Sequence, residues 1–81
     1  MSTKSPEQEA RLLQVFREVL ENPKLEIGDD MGPDDISGWD SLVHVRLVVS
    51  IEQEFGVKFT TPDIASFQCV ADAKRVIARA A

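Results

Sequence analysis

The sequence predicts an all-α fold: a four-helix bundle with a long first loop and a short third helix. Apolar residues recur at helical spacing, and helix-start and helix-stop residues divide the chain at matching points. The 81 residues, 43% of them hydrophobic, suit one small domain with a modest core. We therefore treat residues 1–81 as a single domain and expect residues 1–5 to be flexible.

The first helix is predicted over residues 6–21. Ser5 is expected to cap it, with Pro6 at the first helical position and Gln8 closing a capping box. Asn22-Pro23 is expected to end it, because proline cannot continue a helix and restricts the residue before it. One apolar face repeats along this helix: Leu12, Leu13, Phe16, Val19 and Leu20.

Residues 23–40 are predicted to form a long loop that packs onto the body through spaced apolar residues: Leu25, Ile27, Met31, Ile36 and Trp39. Between residues 26 and 40 the loop has no Lys or Arg but several carboxylates: Glu26, Asp29, Asp30, Asp34, Asp35 and Asp40. This charge is expected to steer basic partner surfaces toward Ser41. A solvated loop is the simpler interpretation, and both can hold at the same time. The carboxylate spacing does not match a calcium-binding loop, so no metal site is predicted.

The second helix is predicted from Ser41 to Phe55, with Gly56 ending it in a left-handed cap. Helical periodicity divides its apolar residues into two stripes. The first is expected to face the core: Leu47, Val48, Ile51 and Phe55. The second is expected to bind partners, unless it extends a wide core face; we call it the second stripe: Leu42, Val45 and Val49. Arg46 and Glu52 are assigned to the same partner surface.

The start of the second helix suits a phosphate. Asp40 and Ser41 are good helix-start residues, since their side-chain oxygens accept hydrogen bonds from first-turn N–H groups. A phosphodiester on Ser41 would lie at the positive end of the helix dipole. A simple cap is the alternative interpretation of both residues.

The rest of the chain is predicted to form two shorter helices. Val57-Lys58-Phe59 is an extended linker whose apolar residues plug the core. Thr61, followed by Pro62, is expected to cap a third helix that reaches about Phe67. A fourth helix is expected to open at Cys69-Val70 and to bury a face of small residues: Val70, Ala73, Ile77 and Ala80.

Few residues offer catalytic chemistry. His44 follows Ser41 by three positions, but we interpret it as a half-buried packing residue with one satisfied nitrogen, because no third group is evident to orient it as a base. Cys69 is the only cysteine, so the chain cannot form an internal disulfide. The net charge of −5 disfavours a nucleic-acid partner, and no apolar run is long enough to span a membrane. We expect a cytoplasmic monomer.

A longer pattern resembles the acyl carrier protein family: Asp35-Ile36-Ser37-Gly38-Trp39-Asp40-Ser41-Leu42, then Leu47, Ile51-Glu52 and Phe55-Gly56. The resemblance covers residues 6–80 and implies a four-helix carrier that is not an enzyme. It implies that Ser41, between its motif neighbours Asp40 and Leu42, carries a phosphopantetheine arm that a phosphopantetheinyl transferase moves from coenzyme A. The arm would hold acyl or aminoacyl groups as thioesters, received from a loading ligase and delivered to downstream synthase or transferase enzymes.

One departure from the family favours a specialised pathway. Carriers of fatty-acid synthesis that the chain resembles have a strongly acidic second helix, whereas Val43, Arg46 and Gln53 occupy those positions here and only Glu52 is acidic. A polyketide or nonribosomal-peptide role is therefore expected over a housekeeping fatty-acid role. Two alternatives remain: a non-covalent helical interaction module, and a degenerate carrier that is never modified.

Overall fold

The computed structural model describes residues 6–80 and confirms the all-α architecture. In this part of the chain four helices follow in order: α1 (Pro6–Val19), α2 (Ser41–Phe55), α3 (Thr61–Ser66) and α4 (Val70–Ala80). The predicted Ser5 cap and the predicted flexibility of residues 1–5 lie outside the described residues. No helix in the described range has both the length and the apolarity needed to cross a membrane.

The core lies where α1, α2 and α4 meet, and the loop and linker complete it. No polar or charged residue within 6–80 is buried. The loop residues Ile36 and Trp39 and the linker residues Val57 and Phe59 are buried, as predicted. The whole core consists of Leu12, Val15, Phe16, Ile36, Trp39, Leu47, Val48, Ile51, Val57, Phe59, Phe67, Val70, Ala73, Val76 and Ile77.

Helix α1 ends at Val19, so the predicted end at residue 21 is wrong. The N–H of Glu21 bonds the carbonyl of Glu18 at 3.2 Å, and the N–H of Asn22 bonds the carbonyl of Arg17 at 2.9 Å. Glu21 has a φ of 55°, in the left-handed region. These bonds form a Schellman motif, which satisfies the last carbonyls and ends the helix before Pro23 is reached.

The loop after α1 caps the start of α4. The N–H groups of Val70 and Ala71 donate to the loop carbonyls of Met31 and Asp29 at 2.9 and 3.0 Å. Lys74 on α4 reinforces this contact with an ion pair to Asp29 at 2.6 Å. A Cβ on Gly32 would lie 2.3 Å from the carbonyl oxygen of Gln68, so this close approach requires glycine.

Helix α2 has the predicted bounds, and Gly56 ends it in the left-handed conformation with a φ of 66°. The predicted cap of α3 is off by one residue, because Thr60 rather than Thr61 accepts the N–H of Asp63. The Asp63 carboxylate in turn accepts the N–H of Thr60 at 2.9 Å, which completes a capping box. Within the described residues α3 contributes no buried side chain, and Phe67 caps its C-terminus.

Helix α4 begins at Val70, one residue after the predicted opening at Cys69. Val70, Ala73 and Ile77 are buried as predicted, and Val76 is buried as well. The side chain of Ala80 lies outside the described residues. The buried face of α4 is therefore wider than the predicted one, because Val76 adds to it.

Candidate functional site at the start of helix α2

Asp40 fixes the first turn of α2. Its backbone is extended, with φ −109° and ψ −170°, and its Oδ1 accepts the N–H of Val43 at 2.9 Å. The carbonyl of Asp40 also accepts the N–H of His44 at 2.9 Å. Asp40 is therefore the N-cap, and Ser41 is the first helical residue.

Ser41 is solvent-exposed at this helix terminus. Within residues 6–80 the N–H groups of Ser41 and Leu42 make no hydrogen bond, since the Asp40 carboxylate bonds Val43 instead. Two free N–H groups at the positive end of a helix dipole favour a phosphate oxygen. An accessible hydroxyl beside these donors therefore fits a phosphate ester on Ser41.

The His44 side chain packs in an aromatic cluster and is not paired with Ser41. The Trp39 Nε1–H donates to His44 Nδ1 at 3.2 Å, so the imidazole proton lies on Nε2, which faces the carbonyl of Ile64 at 3.3 Å. The His44 ring also lies 4.8 Å from the Phe67 ring, centroid to centroid. Both nitrogens of His44 are engaged, where the sequence predicted only one, so His44 is not available as a base for Ser41.

The two stripes of α2 separate as the periodicity predicted. Leu47, Val48 and Ile51 are buried, whereas Phe55 is only partly buried against the core. The second stripe is exposed: Leu42 by 62%, Val45 by 55% and Val49 by 44%. The alternative of a single wide core face is therefore wrong. The role of the second stripe in partner binding stays a prediction.

The two charged residues assigned to the partner surface differ in their surroundings. Arg46 is exposed and makes no ion pair within residues 6–80. Glu52 is half-buried, and its Oε2 accepts the N–H of Phe59 at 2.8 Å. Glu52 therefore holds the linker after α2, a contact that periodicity did not predict, whereas Arg46 is free to meet a partner.

The acidic loop uses much of its charge internally. The Glu26 carboxylate pairs with Arg17 at 3.2 Å, and the Asp35 carboxylate accepts the N–H of Gly32 at 3.1 Å. Asp30 and Asp34 are exposed. No group of three or more His, Cys, Asp or Glu residues in the described range is arranged to hold a metal ion. Steering of basic partners by this loop stays a prediction.

The small helical bundle presents an exposed serine at a helix N-terminus, and the nearby His44 is engaged by Trp39 and Ile64. This arrangement fits a carrier protein. Residues 10–77 match the family model described as "Phosphopantetheine attachment site". The chain belongs to this family of carrier proteins.

A solved structure agrees with this assignment. The chain is similar to the holo acyl carrier protein from Geobacter metallireducens, determined by solution NMR, with 28% sequence identity and a TM-score of 0.82. The match covers 94% of this chain and 86% of that one. The family model and this structure together confirm the resemblance to acyl carrier proteins seen in the sequence. Proteins of this family carry groups for transferases and synthases and are not themselves enzymes.

Proposed function

We propose that Ser41 is the attachment site for phosphopantetheine and that the chain carries acyl or aminoacyl groups as thioesters. The observation that supports this most is the exposed Ser41 at the first position of α2, with the free N–H groups of Ser41 and Leu42 beside it. Asp40 leaves these two donors free, since its carboxylate bonds Val43.

Attachment requires a phosphopantetheinyl transferase. The Ser41 hydroxyl oxygen would form a bond to phosphorus as the pyrophosphate bond of coenzyme A breaks, and adenosine 3′,5′-bisphosphate would leave. His44 has both ring nitrogens engaged with Trp39 and Ile64, so the transferase must supply the base that takes the hydroxyl proton. When attached, the arm supplies a terminal thiol that holds cargo as a thioester.

The chain contributes placement rather than catalysis. The capped first turn of α2 holds the attachment point on a fixed helix, and the core residues Leu47 and Ile51 anchor that helix. Cargo on a flexible arm reaches successive enzymes at a high effective concentration. The exposed Leu42, next to Ser41, would be a first contact for any enzyme that approaches the serine.

We further propose a specialised biosynthetic role, of the polyketide or nonribosomal-peptide type. An acyl- or aminoacyl-loading ligase would charge the arm, and downstream synthase or transferase enzymes would unload it. The support is the composition of the Ser41 half of α2, where Val43 and Arg46 stand in place of carboxylates and the second stripe is apolar. A surface of this kind favours apolar contact over attraction of basic partners.

The attachment is tested by intact mass. Incubation with coenzyme A and a broad-specificity transferase should add the mass of one arm, and Ser41→Ala should abolish the addition. Ser37→Ala is the matched control, since Ser37 is an exposed serine in the preceding loop and its loss should leave the addition intact. Thermal melts of both variants would establish that they fold.

Unchanged mass with several transferases would contradict the attachment. It would favour one of the two alternatives: an unmodified degenerate carrier, or a module that binds partners only non-covalently through the second stripe. A partner that binds Ser41→Ala as tightly as it binds the wild type would favour the non-covalent module over the degenerate carrier.

A further inference from the structure

The half of α2 that begins at Ser41 carries a net positive charge, whereas the chain as a whole is acidic. The chain has a net charge of −5, yet Arg46 is the only formally charged side chain from Ser41 to Val49. Arg46 is exposed and makes no ion pair within the described residues. It lies four residues after Leu42 and three before Val49, so it shares a side of the helix with the second stripe.

The two carboxylates farther along α2 are engaged within the protein. The Glu52 Oε2 accepts the N–H of Phe59 at 2.8 Å, and the Glu54 Oε2 pairs with Arg11 on α1 at 2.8 Å. The apolar second stripe is therefore accompanied by the cation of Arg46, and neither carboxylate of α2 is free beside it.

We infer that the second stripe and Arg46 bind a protein surface that is apolar at its centre and acidic at its edge. This rests on the proposed function, because an enzyme that reaches Ser41 must cover this part of α2. A carboxylate in the partner would pair with Arg46, whereas a basic partner would leave two like charges together in a desolvated contact. At Arg46 this favours an acidic partner edge, although the acidic loop is expected to attract basic surfaces. Leu42, Val45 and Val49 supply the apolar area that such a contact buries.

Two synthetic peptides test this inference. Both form amphipathic helices with the same leucine face, and they differ only in carrying glutamate or lysine at the flanking positions. Each is titrated into ¹⁵N-labelled unmodified protein at low salt and followed by NMR. The glutamate peptide should bind about tenfold more tightly and shift the amides around the second stripe. Its advantage should shrink as salt screens the charges.

Matched variants locate the preference. Arg46→Glu should reverse it in favour of the lysine peptide. Lys24→Glu makes the same charge change at an exposed residue after α1 and should leave the preference as in the wild type. Three outcomes would overturn the inference. They are equal binding of both peptides, a preference for the lysine peptide, and amide shifts centred on the groove between α1 and α4. Since the protein carries no arm in this test, failed modification of Ser41 leaves its outcome unaffected.

Discussion

Helix α2 begins at Ser41 and α3 contacts it through His44, but different forces hold the two helices. Helix α2 is rich in valine, which forms helices poorly, and it persists because Leu47, Val48 and Ile51 are buried. Helix α3 buries no side chain. It is held by polar contacts at its start, by the carbonyl of Ile64 facing His44, and by the buried Phe59 and Phe67 on either side.

The polar contacts of α3 centre on Asp63. Its carboxylate accepts the N–H of Thr60 and pairs with Arg79 on α4 at 2.6 Å. Hydrogen bonds from Arg79 and from the Thr60 backbone hold the pKa of Asp63 well below its usual range. Attachment of α3 therefore depends on charge and pH, whereas attachment of α2 depends on apolar burial. Helix α3 should open locally at a lower free energy than α2.

The largest effect is expected from Ile51→Asp. Ile51 is fully buried on α2, so the substitution would place an unpaired carboxylate in the core. We expect a loss of more than about 4 kcal/mol of unfolding free energy, enough to unfold a small domain. Circular dichroism during a thermal melt measures it. A cooperative melt near that of the wild type would show that α2 is not held by its core stripe.

His44→Ala should weaken the joint between α2 and α3. It leaves the N–H of buried Trp39 without its partner and removes the contact to the Ile64 carbonyl. We expect a loss of about 1–3 kcal/mol in urea unfolding and faster hydrogen exchange in α3 than in α2. Gln53→Ala, at an exposed position of α2, is the control and should change neither. Equal acceleration in both helices would argue against a local role for His44.

Arg79→Gln should flatten the acid dependence of stability. Because the pKa of Asp63 is lowered in the fold, its ionised carboxylate stabilises the folded state at pH values above 3.8, the ordinary pKa of the group. This stability is lost as the pH falls toward the folded pKa. Without Arg79 the folded pKa moves back toward 3.8, so less stability remains to be lost. The variant should be less stable than the wild type at neutral pH, and the difference should shrink in acid. Urea unfolding across pH measures this, with Lys24→Gln as the charge-matched control.

Val49→Asp should have the smallest effect on stability. Val49 is 44% exposed, so we expect a change within about 0.5 kcal/mol in a thermal melt. The same substitution should impair exchange with partner enzymes, because it places a charge in the proposed apolar contact. A melt as damaged as that of Ile51→Asp would mean that Val49 is part of the core. Intact melting with unimpaired exchange would remove Val49 from the partner surface.

Periodicity predicted α1, α2 and α4 well because burial of an apolar face decides these helices. It separated the two stripes of α2, and the buried loop residues Ile36 and Trp39 followed from their apolar character. The cap of α3 was predicted one residue late, at Thr61, although Asp63 follows Thr60 at capping-box spacing. The end of α1 could not be predicted, because Glu21 lacks the preference for left-handed backbone that glycine or asparagine would show.

The contacts that complete the site are long-range and leave no local pattern. The bond from Trp39 to His44 and the contact of His44 with Ile64 depend on how three elements meet. The loop carbonyls of Met31 and Asp29 that cap α4 are backbone groups, which every residue possesses. Only the tertiary arrangement determines which of them act, so the sequence could place Ser41 at a helix start but could not predict the contacts around it.

Trp39 is an intrinsic fluorescence probe of the fold. The chain has one tryptophan and no tyrosine, so its intrinsic ultraviolet emission comes essentially from a single indole. That ring touches Phe16 of α1, His44 of α2 and Phe67 at the end of α3. Its emission wavelength will therefore register separation of these helices without any added label, a few residues from Ser41.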